Sequence, residues 1–100
     1  MIRHVSCLTF TETSTPEERD AAVRAVARLP AIIPEIRVYT VGADLGLAEG
    51  NAHLAVVADF DTVDDYRVYA SHPEHLAVIA EHIRPILAGR AAVQLEVPDA

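Results

Sequence analysis

Basic residues are scarce, cysteine is nearly absent, and no long apolar run occurs anywhere in the chain. Eight Lys and Arg against fifteen Asp and Glu leave a formal charge of −7. Such a chain lacks the cationic footprint that nucleic-acid binding needs, and it has nothing to draw it to an anionic membrane surface. The single cysteine, Cys7, cannot form an internal disulfide. It lies in an apolar strand-like run, where a packed thiol is expected rather than a nucleophile or ligand. No segment approaches the roughly 20 apolar residues that span a bilayer. The N-terminus enters an alternating pattern directly, without a charged segment followed by a continuous apolar one. These absences predict a soluble cytoplasmic protein with no nucleic-acid or membrane partner.

What is present suffices for one core. One hundred residues make a single domain, 1–100, and apolar residues at 51% can fill it. A domain of this size buries a modest share of its surface, so association is expected to add stability.

Residues 2–11 read as a strand with apolar groups on both faces, hence covered on both sides. Thr15-Pro16-Glu17-Glu18 opens a helix, with Thr15 as N-cap, Pro16 at N1 and Glu18 closing a capping box. Ala22, Val23, Val26, Ala27 and Leu29 form its buried stripe and Pro30 stops it. Residues 35–42 alternate as a second strand, 43–50 form a loop holding two of the four glycines, and 51–60 form a third strand. Asp61 or Thr62 caps a short helix through Tyr69. The residue before proline avoids the α region, so His72-Pro73 breaks this helix and a new one starts at Pro73. Leu76, Ile79, Ala80, Ile83 and Leu87 are its expected buried face, Gly89 its end, and 91–97 the last strand.

The order β-α-β-β-α-β predicts an α+β, ferredoxin-like fold: an antiparallel sheet with helices on one face. Within it, the first and third strands are expected to be central, adjacent and parallel. The other sheet face, expected to carry Val5, Cys7, Leu54 and Val56, is apolar and marks an association surface. A homodimer joined face to face through its sheets follows.

Four of the five histidines attract chemistry. Parallel central strands would put His4 and His53 at one end of the sheet. The helix after Phe60 would carry Tyr69 and His75 back to that end, with Leu8, Val57, Val23 and Val26 lining the remaining space. His75 falls near N3, where the positive end of the helix dipole disfavours imidazolium. A neutral imidazole near pH 7 serves as a general base, and the Tyr69 hydroxyl can donate to a carbonyl oxygen as charge develops on it. The pair suits proton abstraction beside a carbonyl, as in aldol or Claisen-type ring closure or an enolisation. His72 is expected to cap its helix, and Tyr39 and Tyr66 to pack. Structural roles are the alternative for the others, as helix-start or hydrogen-bonded core histidines. His72-x-x-His75 with His53 is a metal-ligand candidate, but no cysteine or carboxylate accompanies it, so no metal is expected. No axial-ligand pattern points to heme.

The chain resembles the stress-responsive α/β-barrel domain (Dabb) family. The likeness rests on Ile2-Arg3-His4-Val5 with Leu8-Thr9-Phe10, on Leu29-Pro30-Ala31-Ile32-Ile33-Pro34-Glu35-Ile36, and on His53. It extends to Asp59-Phe60-Asp61 and to Tyr69 followed by His72-Pro73-Glu74-His75. It covers nearly the whole chain. The resemblance implies a dimeric α+β barrel with a ligand cavity between each sheet and its helices. It also implies polyketide cyclase-like activity, in which His75 is the catalytic base, Tyr69 polarises the carbonyl, and His4 and His53 meet the substrate. The small Ala22, Val23 and Val26 stand where a polyketide-cyclising relative has bulky aromatics, so the resemblance does not carry over to the cavity's shape or substrate. The expected function is therefore that of a small, cofactor-free, cyclase-like enzyme acting on a polyketide or β-keto compound. The alternative is a non-catalytic, stress-responsive dimer that binds a small apolar ligand.

Overall fold

A computed structural model describes residues 1–99 of the chain. Strand β1 (Ile2–Phe10) leads into helix α1 (Pro16–Ala27) and a 3-10 turn at Leu29–Ala31. Strands β2 (Val38–Ala43) and β3 (Leu54–Phe60) follow, then helices α2 (Val63–Ser71) and α3 (Pro73–Val78) and strand β4 (Leu87–Glu96). The strands form one sheet in the order β2-β3-β1-β4, antiparallel at every pairing. This is the ferredoxin-like arrangement expected.

The expectation that β1 and β3 run parallel is wrong. Their register pairs Ile2 with Phe60 and Leu8 with Leu54, so the start of one lies beside the end of the other. The reason is topological. The crossover through α1 makes β2 parallel to β1 but leaves a gap between them. β3 fills that gap and is therefore antiparallel to both neighbours.

Alternation assigns the faces. His4, Ser6, Leu8 and Phe10 of β1, with Leu54, Val56, Ala58 and Phe60 of β3, are buried under the helices. Leu54 and Val56 thus belong to the core, not to the open face as the sequence suggested. The open face carries Val5 and Cys7 opposite Val57 and Ala55, extended on β4 by Val93 and Leu95, 54% and 43% exposed. At one edge of this face Arg3 grips the buried Asp59 with two hydrogen bonds of 2.8 and 2.9 Å. The guanidinium holds the Asp59 carboxyl below the usual carboxylate range.

The helix ends form as their residues dictate. Thr15 accepts from the Glu18 amide at 3.1 Å while Glu18 accepts from the Thr15 amide at 2.9 Å, completing the capping box. The buried face of α1 takes Ala25 in place of the expected Ala27. Thr62 caps α2 by accepting from the Asp65 amide at 3.1 Å. His72 is extended, with φ −62° and ψ 133°, ending α2 and capping α3 through its Nδ1, which accepts from the Glu74 amide at 3.1 Å.

After Val78 the helix continues through a π turn (Ile79–Ile83) and a 3-10 turn (Arg84–Ile86). A π turn holds more residues than an α turn and rotates the inward row. Leu76, before this turn, faces solvent, 52% exposed, while Ile83 and Ile86 are buried. Gly89 does not end the helix as expected: β4 has already begun at Leu87, and Gly89 pairs with Thr9. Among the described residues no helix is long and apolar enough to cross a membrane.

Candidate functional site

Between the buried face of the sheet and the helices lies a cavity of about 400 Å³. Its apolar wall comes from Leu8, Val26, Leu29, Val56, Val78, Ile79, Ile83 and Leu87, and its polar groups include His4, Ser6, Tyr66, Tyr69 and His75. Arg84 and Arg90 complete the polar part.

The His72-Pro73 break creates the contact at its centre. Because His72 is extended, the chain turns sharply and lays the first turn of α3 against the end of α2. The ring of His75 then sits 4.3 Å, centroid to centroid, from that of Tyr69. Its Nδ1 lies 3.2 Å from the Ala70 carbonyl oxygen. A carbonyl only accepts, so Nδ1 carries the proton and a neutral His75 keeps its lone pair on Nε2. Burial is the chief cause that lowers the His75 pKa from its ordinary value; the bond to Ala70 opposes it, and the charge of Arg90 adds to the lowering.

His4 is the second neutral imidazole. It is 4% exposed, packs 5.2 Å from the Tyr66 ring and 6.0 Å from that of Tyr69. The Gln94 amide nitrogen stands 2.9 Å from its Nδ1. With that N–H donating, Nδ1 accepts and the proton resides on Nε2. Burial first, then the charges of Arg90 and His75, push its pKa down to about 4. The Tyr69 hydroxyl is pushed up by burial and stays protonated. One end of the cavity therefore offers an N–H donor, an O–H donor and an unprotonated nitrogen.

Tyr39 reaches the same aromatic cluster from β2, its ring 6.5 Å from Tyr69 and nearly edge-on. Its buried hydroxyl has no hydrogen-bond partner among the described residues. Burial chiefly, with the neighbouring Tyr69, raises its pKa. The two hydroxyls influence each other's ionisation without meeting in bonding geometry.

His53 does not join this group, and neither do Val57 and Val23. The antiparallel pairing inverts the expected ends: His4 lies opposite Ala58, while the His53 amide donates to the Leu8 carbonyl at 2.8 Å. The His53 ring stacks on Phe10, and its Nδ1 accepts the Phe10 amide at 2.8 Å. It lines a different, more open hollow of about 590 Å³ together with Phe10, Val23 and Arg19. Val57 sits on the open face opposite Val5. Of the expected site residues, the structure gathers His4, Tyr69, His75, Leu8 and Val26. His72, His75 and His53 do not converge, and among the described residues no group of three or more His, Cys, Asp or Glu could hold a metal ion.

Sequence reasoning missed Arg84 and Arg90. Ending the helix at Gly89 placed Arg90 at a turn, whereas the strand begins at Leu87 and pairs Arg90 with Leu8 on the buried face. A period-two reading started two residues earlier would have found it.

The depressed pKa values set a pH dependence. An unfolded histidine titrates near 6.5, and His4 in the fold at about 4. Between those values the unfolded chain binds a proton that the fold excludes, so stability is complete above about pH 6.5 and falls as pH drops. The His4 share of that loss is on the order of 3 kcal/mol by pH 4. Denaturant titrations of wild type and His4→Gln at pH 7 and pH 4.5 check this: the wild type loses stability on acidification and the variant loses distinctly less. Equal losses would contradict the assignment.

Comparison with known proteins matches the geometry. The sequence pattern of the stress-responsive A/B barrel domain, Dabb, fits residues 2–97. The search of curated proteins gave no match. Among solved structures, a dimeric ferredoxin-like protein from Thermobifida fusca is 47% identical, covering 96% of this chain and 90% of that one, with a TM-score of 0.88. A dimeric protein of ferredoxin-like fold from Bacteroides fragilis is 29% identical, with coverages of 96% and 95% and a TM-score of 0.84. The hydroxynitrile lyase of Passiflora edulis shares the fold at 18% identity, covering 99% and 94%, with a TM-score of 0.83. With its ferredoxin-like topology, its cavity between sheet and helices and a pattern match over nearly its full length, this chain belongs to the stress-responsive A/B barrel domain family.

Proposed function

We propose that the cavity binds a small, largely apolar carbonyl compound and removes a proton from the carbon beside its carbonyl. The observation that carries this reading is the contact between Tyr69 and His75, 4.3 Å between ring centroids, with the His75 Nδ1 held by Ala70. His75 Nε2 takes the α-proton. As negative charge moves to the carbonyl oxygen, Tyr69 donates its hydroxyl proton in a hydrogen bond to that oxygen. The resulting enolate attacks a second carbonyl of the same molecule, closing a ring through a new carbon–carbon bond as that carbonyl's π pair moves to its oxygen. In an aldol closure this oxygen takes the proton held by His75; in a Claisen closure the carbonyl re-forms as the thiolate of the thioester leaves with that proton. His4, neutral and with its proton on Nε2, offers a second donor for orienting the substrate. The apolar wall favours a substrate with an alkyl portion and excludes water from the enolate.

The reading extends to assembly. The open sheet face with Val5, Val57, Val93 and Leu95 supports pairing of two copies through their sheets, and the Thermobifida fusca and Bacteroides fragilis relatives are dimeric.

Ring closure of a linear tetraketide thioester, followed by absorbance of the aromatic product, tests the chemistry. Tyr69→Phe and His75→Ala are each expected to lower turnover by about 10²-fold or more while leaving the melting temperature near that of wild type. Wild-type rates in both variants would end the catalytic reading and leave a ligand-binding dimer. For the assembly, Val57→Asp places a charge at the centre of the open face; light scattering is expected to show dimer for wild type and monomer for the variant. A dimer unaffected by the charge would place the interface elsewhere.

A further inference from the structure

The proposed cavity has a charge asymmetry that the proton-transfer groups do not explain. The chain contains fifteen Asp and Glu against eight arginines and no lysine, yet among the described residues no carboxylate side chain lines the cavity while two guanidiniums do. Most arginines elsewhere are engaged. Arg3, Arg37 and Arg67 pair with Asp59, Asp61 and Asp64, and Arg19 donates to Ser14 and Thr11. Arg24 and Arg28 are exposed on and just after α1 and do not border the cavity. Arg84 and Arg90 form no ion pair among the described residues, although the molecule is strongly acidic.

Their placement is that of a rim. Arg84 and Arg90 are exposed, whereas Tyr69 and His4 on the same cavity are buried. Arg90 pairs with Leu8 in the sheet, so its side chain starts beside the apolar wall, and it is exposed to solvent. It lines the same cavity as His4, Tyr69 and His75, and its charge acts on the ionisation of all three.

We infer that Arg90, assisted by Arg84, anchors a carboxylate carried by the ligand, so that the cavity selects an aliphatic oxo acid over an uncharged ketone or ester. A guanidinium presents a planar fork that matches a carboxylate in two parallel hydrogen bonds. With the carboxylate at the rim, the alkyl chain lies along Leu8, Val26 and Ile83 and the carbonyl meets Tyr69 and His75. This assignment rests on the cavity being the ligand site but not on any chemistry occurring there.

Octanoate and octanamide differ in charge and hardly in shape, and neither reacts. Their binding is measured by calorimetry and by shifts of cavity resonances in wild type, Arg90→Gln, the double variant Arg84→Gln/Arg90→Gln, and Tyr69→Phe. Wild type is expected to bind octanoate about tenfold more tightly than octanamide at low salt. Arg90→Gln loses most of that preference, the double variant all of it, and Tyr69→Phe retains it. Equal binding of the two probes by wild type, or a preference that survives the double substitution, overturns the anchor and leaves the cavity reading intact. Failure of both probes to perturb any cavity resonance overturns the anchor and counts against the proposed site as well.

Discussion

The proline at position 73 controls the site. An X-Pro step excludes the α conformation at His72, and that one extended residue separates two helices that would otherwise run as one. In a continuous helix Tyr69 and His75 would lie six residues apart on different faces. The break instead folds the first turn of α3 against the last turn of α2, setting the two rings together. It also presents the Ala70 carbonyl to His75 Nδ1. Tautomer, burial and proximity all follow from that turn. The same His72 that is forced out of the helix then caps the next one, so the break leaves few helix-end groups unsatisfied.

Electrostatics around this turn act in one direction. Burial depresses the imidazoles of His4 and His75 and raises the phenols of Tyr39 and Tyr69, so these four groups are neutral near pH 7. A neutral interior costs little to desolvate and is poised to respond when charge forms within it. The permanent charge is kept at the rim on arginines, in water, where a guanidinium costs little. Division of labour between a neutral interior and a cationic rim is a coherent solution for a chain with a net charge of −7.

Much of the fold could be read from the sequence because its signals are local. Thr15-Pro16-x-Glu18, Thr62 and His72-Pro73 each specify a helix start through bonds within three residues. Alternation in β1 placed His4 and Leu8 on one face. Strand direction, by contrast, is set by how distant segments connect, and there the reading of parallel β1 and β3 failed. That error moved His53 to the wrong end of the sheet, and a separate inversion of the two faces of β3 placed Val57 in the cavity and Val56 outside it. The π turn after Val78 is signalled only by Pro85 just beyond it, which has no amide hydrogen to donate. A regular helical period drawn through the turn reads Leu76 as core, and Leu76 is exposed. Arg90 was hidden behind Gly89, whose usual role at helix ends concealed its place in a strand.

The central claim is that His75 and Tyr69 form one neutral acid–base pair in a cavity that His4 shares and His53 does not. Nitrogen-15 spectra of the histidine rings at pH 7, recorded with and without 2-octanone, test it most directly. The account predicts a proton on His75 Nδ1 and a bare Nε2, with His75 and His4 resonances moving on addition of the ketone and His53 unmoved. A cationic His75, a proton on its Nε2, or a His53 that responds together with the other two would contradict it.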